Sequence, residues 1–492
     1  MTIENKIPDP TWARLGFPEP PEFQTSGQHV GVIIMDQIRP HPAIRHLGDR
    51  LKYITVNHDL SVQCKDDIAV QSGSSAFSGG EDAELGVHGL KTLLALSHEP
   101  FEINGETHIG ISPAAHFIVL DHGAFIDGEG ERLKVGVDWI LEQQGWNIRI
   151  ILCTGWHASD NLVLLKRSHE YSAVQALQSA VKQEILVVCS NGNTRLGNIM
   201  PPMDYFTVGG YHDRGTKNRH MHVPYPDEPF GRNGDGHFRP DILAPRLHLT
   251  VPFCESTTTV GEVSYYGGTS GAATLIAGVA AYLFSKYSKL DEVELRSVLV
   301  RNAVLVVDHE NSAPRIHVGR AIYALNSSLQ TKEKNYHASR IKSDHLKSAI
   351  ITMDEIERGV EFSRSIQQGE LSRMELWTHS TDPCSIIRKI AVHALGKPKD
   401  SEERGMFWEL LCKEQEGGVR GWYAYGLLQD SDELEVFFWI PYAIDSNWAV
   451  RWSVSEYLSR YEGRFPQLEK TDVPEQIQEK AEHLLQWMYL QQ

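Results

Sequence analysis

The feature that most constrains this chain is a series of short, uninterrupted apolar runs separated by helical patterns. Val30-Gly31-Val32-Ile33-Ile34-Met35 is the first of them. Ala115-His116-Phe117-Ile118-Val119-Leu120, Ile148-Arg149-Ile150-Ile151-Leu152 and Ile185-Leu186-Val187-Val188-Cys189 are of the same kind. A strand with one wet face alternates apolar and polar residues, so a continuous run implies burial on both faces. Between the runs, residues 86–97, 131–144 and 171–183 carry helical periodicity. Strands alternating with helices predict a mainly parallel sheet covered by helices on both sides. Sheets of that kind place functional groups at the carboxyl ends of their strands.

With 492 residues the chain is long enough for two or three domains. Residues 1–28 are rich in proline (Pro8, Pro10, Pro18, Pro20, Pro21) and aperiodic, which predicts an extended N-terminal arm. The alternating region fills residues 29–325, and the polar, charged residues 326–350 read as a linker. Beyond it, residues 351–492 turn helical and aromatic, and a pattern recurs. Ile387-Arg388, Val419-Arg420 and Val450-Arg451 open three copies, followed at matching offsets by Ala391, Tyr423 and Val454, then Leu395, Leu427 and Leu458. A helical period of roughly thirty residues suggests stacked helix pairs and resembles HEAT-type repeats, so an all-α repeat domain is expected here. An ordinary bundle with coincidental spacing is the competing reading.

The 47 basic and 64 acidic residues leave a formal charge of −17, a surface that repels phosphate backbones and excludes nucleic acid as the main partner. Six cysteines without CxxC spacing, several in apolar stretches, favour a reducing compartment. The first 30 residues lack the apolar core of a signal peptide, and no apolar run is expected to reach the length of a transmembrane helix. A soluble, cytoplasmic protein with no membrane partner is therefore expected.

Four segments carry chemistry. Asp36 ends the first buried run in Ile34-Met35-Asp36-Gln37-Ile38, where a carboxylate can fix the tautomer of a histidine. His88, in Gly86-Val87-His88-Gly89-Leu90, is placed at the start of an apolar helix, exposed as a general base must be. Asn193 closes Val187-Val188-Cys189-Ser190-Asn191-Gly192-Asn193, a strand ending in a polar turn that can aim an amide at a developing oxyanion. Ser270 lies in Tyr266-Gly267-Gly268-Thr269-Ser270-Gly271-Ala272-Ala273-Thr274, at the positive end of a helix apolar or small on every side. Each has a bland alternative: a strand-end turn, one of 23 histidines, an Asn-Gly-Asn turn, a serine cap.

The order Asp, His, Asn, Ser and the flanking residues resemble the subtilase family, the subtilisin-like serine proteases. Gly110-Ile111-Ser112-Pro113-Ala114-Ala115, Phe206-Thr207-Val208-Gly209-Gly210 and Arg239-Pro240-Asp241-Ile242-Leu243-Ala244-Pro245 resemble further family stretches. The resemblance covers about residues 29–325 and implies a three-layer α/β/α sandwich. It implies Ser270 as nucleophile, His88 as general base and Asp36 as its support. Asn193 and the Ser270 backbone N–H would hold the oxyanion, and an extended peptide would lie beside Thr154-Gly155-Trp156. The implied activity is endopeptidase cleavage of protein substrates, with the C-terminal repeats binding substrate or a regulatory protein. Neither cofactor nor metal is assigned: the acids Asp66, Asp67, Glu81, Asp82 and Glu84, read as a loop, lack an EF-hand-like spacing. The sequence departs from the family at Gln37-Ile38, Leu90-Lys91, Gly271 and Thr274, and Trp156 is bulky for the primary pocket. A catalytically silent scaffold that binds a partner is the alternative. Only 35 residues precede Asp36 here, so restraint by the proline-rich arm or by the C-terminal repeats, in place of a folded prodomain, is also expected.

Overall fold

The computed structural model describes residues 8–66, 81–121, 130–154, 167–193, 202, 204–225, 230–252, 263–304, 313–330, 352–414, 416–429 and scattered positions between 431 and 457. Strands β1 (Gly31–Met35), β2 (Leu51–Val56) and β3 (Val62–Lys65) come first, then a β4–β5 pair (Phe101–Ile103 with Glu106–His108). Next in the chain are β6 (His116–Asp121), β7 (Ile148–Cys153), β8 (Leu186–Ser190), β9 (Phe206–His212) and β10 (Val223–Pro224). A β11–β12 pair (Gly231–Arg232 with Phe238–Arg239), β13 (Ile242–Pro245) and a β14–β15 pair (Leu249–Val251 with Ser264–Tyr266) follow.

Nine of these strands form one sheet in the order β10-β9-β8-β7-β1-β6-β2-β3, with β13 also on β9. Within it only the β2–β3 and β9–β10 pairings are antiparallel. Strand β1 lies between β6 and β7, with Ile33 opposite Ile118 on one side and Ile151 on the other. Side chains alternate across a strand, and the core divides accordingly. Val32 and Ile34 join one apolar cluster, Ile33 and Met35 another on the opposite face. The predicted runs match these strands to within a residue, because residues buried on both faces leave an unbroken apolar stretch.

The first cluster is covered by α2 (Glu81–Ser97) and α6 (Gly268–Lys286), the second by α3 (Gly130–Leu141), α4 (Ser172–Ala176) and α5 (Gln178–Lys182). The helix expected over 171–183 is thus two short helices parted at Leu177. Helix α6 is buried continuously from Thr269 to Ala281. A Cβ on Gly278 would lie 2.8 Å from Ile111 Cβ and 3.0 Å from Leu96 Cδ2, so only a small residue admits the close approach of α2. This helix corrects one expectation: its 19 residues are long and apolar enough to cross a membrane, yet it is enclosed in the core. Helices α7 (Glu292–Arg301) and α8 (Val318–Gln330) end this region.

Where an extended arm was expected, Thr11–Arg14 form a helical turn, α1, and the segment is built into the domain. Leu15 and Phe17 are buried in the first cluster. Arg14 donates from Nε to Asp213 Oδ2 at 2.7 Å and from Nη2 to Asp213 Oδ1 at 2.8 Å. Nη2 and Nη1 also donate to the carbonyls of Leu247 and His248 respectively. Neither side chain of this pair touches solvent.

Residues 352 onward form α9 (Met353–Gln367), α10 (Arg373–His379), α11 (Ser385–Leu395), α12 (Ser401–Lys413) and α13 (Gly417–Leu428). Capping boxes at Thr352–Glu355 and Ser372–Glu375 start α9 and α10. Ile387, Val419 and Val450, then Ala391, Tyr423 and Val454, then Leu395 and Leu427, are buried in one separate core. Leu458 and most of the linker lie outside the described residues.

Arg14→Ala strands the Asp213 carboxylate in the interior. Chemical denaturation should show a loss of about 3–5 kcal/mol, against near neutrality were residues 8–28 a loose arm.

Candidate active site

Three strand ends and two helices converge on one end of the sheet. Asp36 directly follows β1, Thr154 follows β7, and Asn191–Asn193 follow β8. These neighbouring parallel strands end at the same edge, which brings residues far apart in sequence together. Helix α2 supplies His88 and α6 supplies Ser270. His88 lies two turns inside α2, not at its start, because the helix begins at Glu81.

The Asp36 carboxylate is buried and accepts three hydrogen bonds. They come from Gln37 N–H to Oδ1 at 2.9 Å, from His88 Nδ1 to Oδ2 at 2.8 Å and from Thr154 Oγ to Oδ2 at 3.0 Å. Since the carboxylate is an acceptor, His88 carries its proton on Nδ1 and leaves Nε2 basic in the neutral ring. The His88 side chain remains 36% exposed, so Nε2 can meet a ligand. Gly89 allows this contact: a Cβ there would fall 2.0 Å from the Gln37 carbonyl oxygen and 2.9 Å from Asp36 Cγ.

Ser270 Oγ donates to the Thr154 carbonyl at 2.8 Å, and Ser190 Oγ donates to the same oxygen at 3.0 Å. Thr154 therefore joins Asp36 through its hydroxyl and Ser270 through its carbonyl. Of the three expected substrate-binding residues it is the only one among the described residues; Gly155 and Trp156 lie outside them.

The turn before Ser270 is equally constrained. Gly268 has φ of +74°, and a Cβ there would sit 3.0 Å from Asn193 Oδ1, so glycine is required twice over. Gly271 N–H makes the first bond of α6, to the Gly267 carbonyl. Ser270 N–H precedes it and is one of the helix-terminal donors without an intrahelical acceptor. Asn193 Oδ1 accepts from Thr269 N–H at 2.8 Å and from Thr269 Oγ at 3.2 Å. The structure thus brings Asp36 and His88 into direct contact, links Ser270 to them through Thr154, and sets Asn193 against the serine turn.

Two residues given no role by the sequence expectations complete the site. The Tyr266 ring packs edge-on to His88 with centroids 5.6 Å apart. Its hydroxyl meets Thr92 Oγ at 2.7 Å, and Thr92 donates onward to the His88 carbonyl at 3.1 Å. Burial pushes the Tyr266 phenol above its usual range, so it stays a neutral hydroxyl. A threonine one turn after the histidine on α2 was the available signal, but its partner comes from a distant strand.

The profile of the subtilase family matches residues 137–340, a span holding Asn193 and Ser270, while Asp36 and His88 precede it. The M-protease of Shouchella clausii is 26% identical over 250 residues, covering 50% of this chain and 57% of that protein. This chain thus spans little more than half the length of that relative. Subtilisin Savinase of Lederbergia lenta is 26% identical over 250 residues, covering 50% of this chain and 81% of its own. A solved structure of the protease domain of PatA overlaps 62% of this chain and 98% of its own, at 19% identity and a TM-score of 0.44. The profile and the curated relatives support the subtilase family, whose members named here are proteases.

Gly89→Ala should separate Asp36 from His88. The expected sign is loss of the downfield Nδ1 proton resonance of His88 in the variant; its persistence would mean that the backbone yields without cost to the pair.

Proposed function

We propose that this chain is a serine endopeptidase acting through an acyl-enzyme, with Ser270 as nucleophile. The observation that carries this reading is the Asp36–His88 hydrogen bond, which leaves Nε2 basic on a part-exposed ring, with Thr154 linking the same carboxylate to Ser270. Ser270 Oγ would attack the scissile carbonyl carbon while its proton passes to His88 Nε2, and Asp36 would stabilise the imidazolium. The carbonyl oxygen would take up negative charge facing Asn193 Nδ2 and Ser270 N–H, a stabilisation worth ~2.7–4 kcal/mol for one such donor. Collapse would expel the amine with the proton from His88, and water would then release the acyl group by the same steps reversed.

The bond from Ser270 to the Thr154 carbonyl favours a second reading, a silent or latent scaffold, because it commits the hydroxyl proton away from His88. A fluorophosphonate probe separates the two. Ser270 Oγ would form a bond to phosphorus, fluoride would leave, and the proton would go to His88. Wild type should label and Ser270→Ala should not. Asp36→Asn, which offers His88 the wrong tautomer, should lower turnover of a peptide substrate by about 10⁴. Equal labelling of wild type and Ser270→Ala, or none of wild type, would remove the peptidase reading.

The helical region is read as a HEAT-like module that presents a substrate or a regulatory protein. A periodic arginine ladder supports repetition. Arg388 donates to both carboxylate oxygens of Glu414, from Nε at 2.8 Å and from Nη2 at 2.9 Å, and from Nη1 to the carbonyl of Asp382 six residues before it. Arg420 binds Asp445, 25 residues ahead, and the carbonyl of Glu414 six residues before it. Arg451 binds the Asp445 carbonyl at the same offset of six. Each acid thus serves one copy through its side chain and the next through its backbone. Arg388→Ala should cost ~1.5–3 kcal/mol, read as faster hydrogen exchange in both α11 and α13; an effect confined to α11 would argue for an ordinary bundle.

Ion pairs from α9 to the segment after Thr154 suggest how the module could influence the site. Arg364 meets Glu170 at 3.4 Å, and Glu357 pairs with Arg167. An intracellular setting belongs to the same reading, supported by Cys64, Cys153, Cys384 and Cys412 being outside any disulfide.

A further inference from the structure

We infer that Arg246 is a positioning residue for Asn193: it fixes which way the amide points and charges its oxygen side. The inference rests on the peptidase reading above, since it concerns the pocket for the developing oxyanion.

Arg246 directly follows β13, and its backbone is anchored at both ends. Its N–H donates to the Tyr211 carbonyl at 3.3 Å, and its own carbonyl accepts from Gly268 N–H at 2.7 Å, in the turn that starts α6. The residue is only 2% exposed. Its guanidinium lies 3.8 Å from the centroid of the Tyr225 ring, a cation–π contact, and Nη2 donates to Asn193 Oδ1 at 3.0 Å.

Three donors therefore converge on one atom of Asn193: Thr269 N–H, Thr269 Oγ and the Arg246 guanidinium. A backbone N–H and a guanidinium can only donate, so the atom they meet must be the amide oxygen. A flipped amide would press its own N–H groups against them. The Nδ2 group is thereby turned to the other side. A cation on the oxygen polarises the amide and strengthens Nδ2–H as a donor, most of all in a site shielded from water.

A second observation is independent of Asn193. A Cβ on Gly210 would fall 2.5 Å from both Cβ and Cδ of Arg246. Gly210 is not among the glycines at positive φ, so the backbone there does not demand glycine. What it supplies is room for the arginine stem beneath the serine turn. The sequence pattern read as a family stretch stops at Pro245, one residue short of this side chain. Its signal is an arginine continuing an apolar strand, where a cation is buried only with partners.

A substrate carbonyl is neutral before attack and an oxyanion after it, so the effect belongs to the reaction step and not to binding. Saturation kinetics of fluorophosphonate labelling on the full chain read the two separately. Arg246→Gln should lower the limiting rate about 10-fold, a part of what losing an oxyanion donor outright costs, and leave the half-saturating concentration unchanged. Arg246→Lys keeps the charge but not the planar fork, and should lose roughly 3-fold. In an Asn193→Ala background both substitutions should have no further effect, because they act through the missing amide. Equal slowing with and without Asn193, or no slowing in folded variants, would overturn the inference; if Arg246→Gln does not fold, Arg246→Lys in the two backgrounds decides it. Wild type that does not label would instead remove the peptidase reading, and this inference with it.

Discussion

The site depends on burying a helix where a chain normally keeps one half-wet. Helix α6 packs against the sheet on one side and α2 on the other, and from Thr269 to Ala281 no residue is left at the surface. Such burial is tolerable only for apolar and small side chains, which is why the helix reads Gly-Ala-Ala-Thr-Leu-Ile-Ala-Gly-Val-Ala-Ala. A helix held on all sides cannot drift, so its first turn is a fixed platform. Ser270 and its neighbouring backbone N–H groups are placed by that packing, and the strand ends are placed by the sheet.

The polar groups above this platform are arranged by what each can donate or accept. Asp36 accepts from a backbone N–H, a hydroxyl and a ring nitrogen, and so dictates the tautomer of His88. Asn193 is oriented in the same way from its oxygen. Thr154 ties the two halves, giving its hydroxyl to Asp36 and its carbonyl to Ser270. That last bond also explains why a complete set of groups need not be a working one. On the proposed peptidase reading, Ser270 would have to turn from Thr154 toward His88 before its proton could be taken, and anything that moves the end of β7 would influence that step. Arg167 and Glu170, further along the same chain segment, carry the ion pairs to α9.

Much of this was legible in the sequence, for identifiable reasons. Strands buried on both faces leave continuous apolar runs, so β1, β6, β7 and β8 were readable nearly to the residue. Residues at strand ends and in the first turn of α6 each had a bland local alternative, and it was their order and the resemblance of their flanks to the subtilase family that singled them out. The unreadable parts are those made by pairing across the fold. Arg14 reads as surface charge in a proline-rich arm until Asp213 is seen beside it, 199 residues away. Tyr266 and Thr92 look like ordinary strand and helix residues, and Arg246 like a strand terminus. In the helical region the recurring positions Ile387, Ala391, Leu395, Val419, Tyr423, Leu427, Val450 and Val454 are buried, but the alternating use of Glu414 and Asp445 required coordinates. The start of α2 was misplaced because its first residues are polar, and periodicity marks only the buried face.

The most direct test of the central claim is a crystal structure of the protein after reaction with a fluorophosphonate. The account predicts phosphorus bonded to Ser270 Oγ, with its free oxygen within about 3 Å of both Asn193 Nδ2 and Ser270 N–H. It also predicts that Asn193 Oδ1 remains on Thr269 and Arg246. An adduct on another residue, or a phosphoryl oxygen turned to solvent with Asn193 facing away, would contradict it.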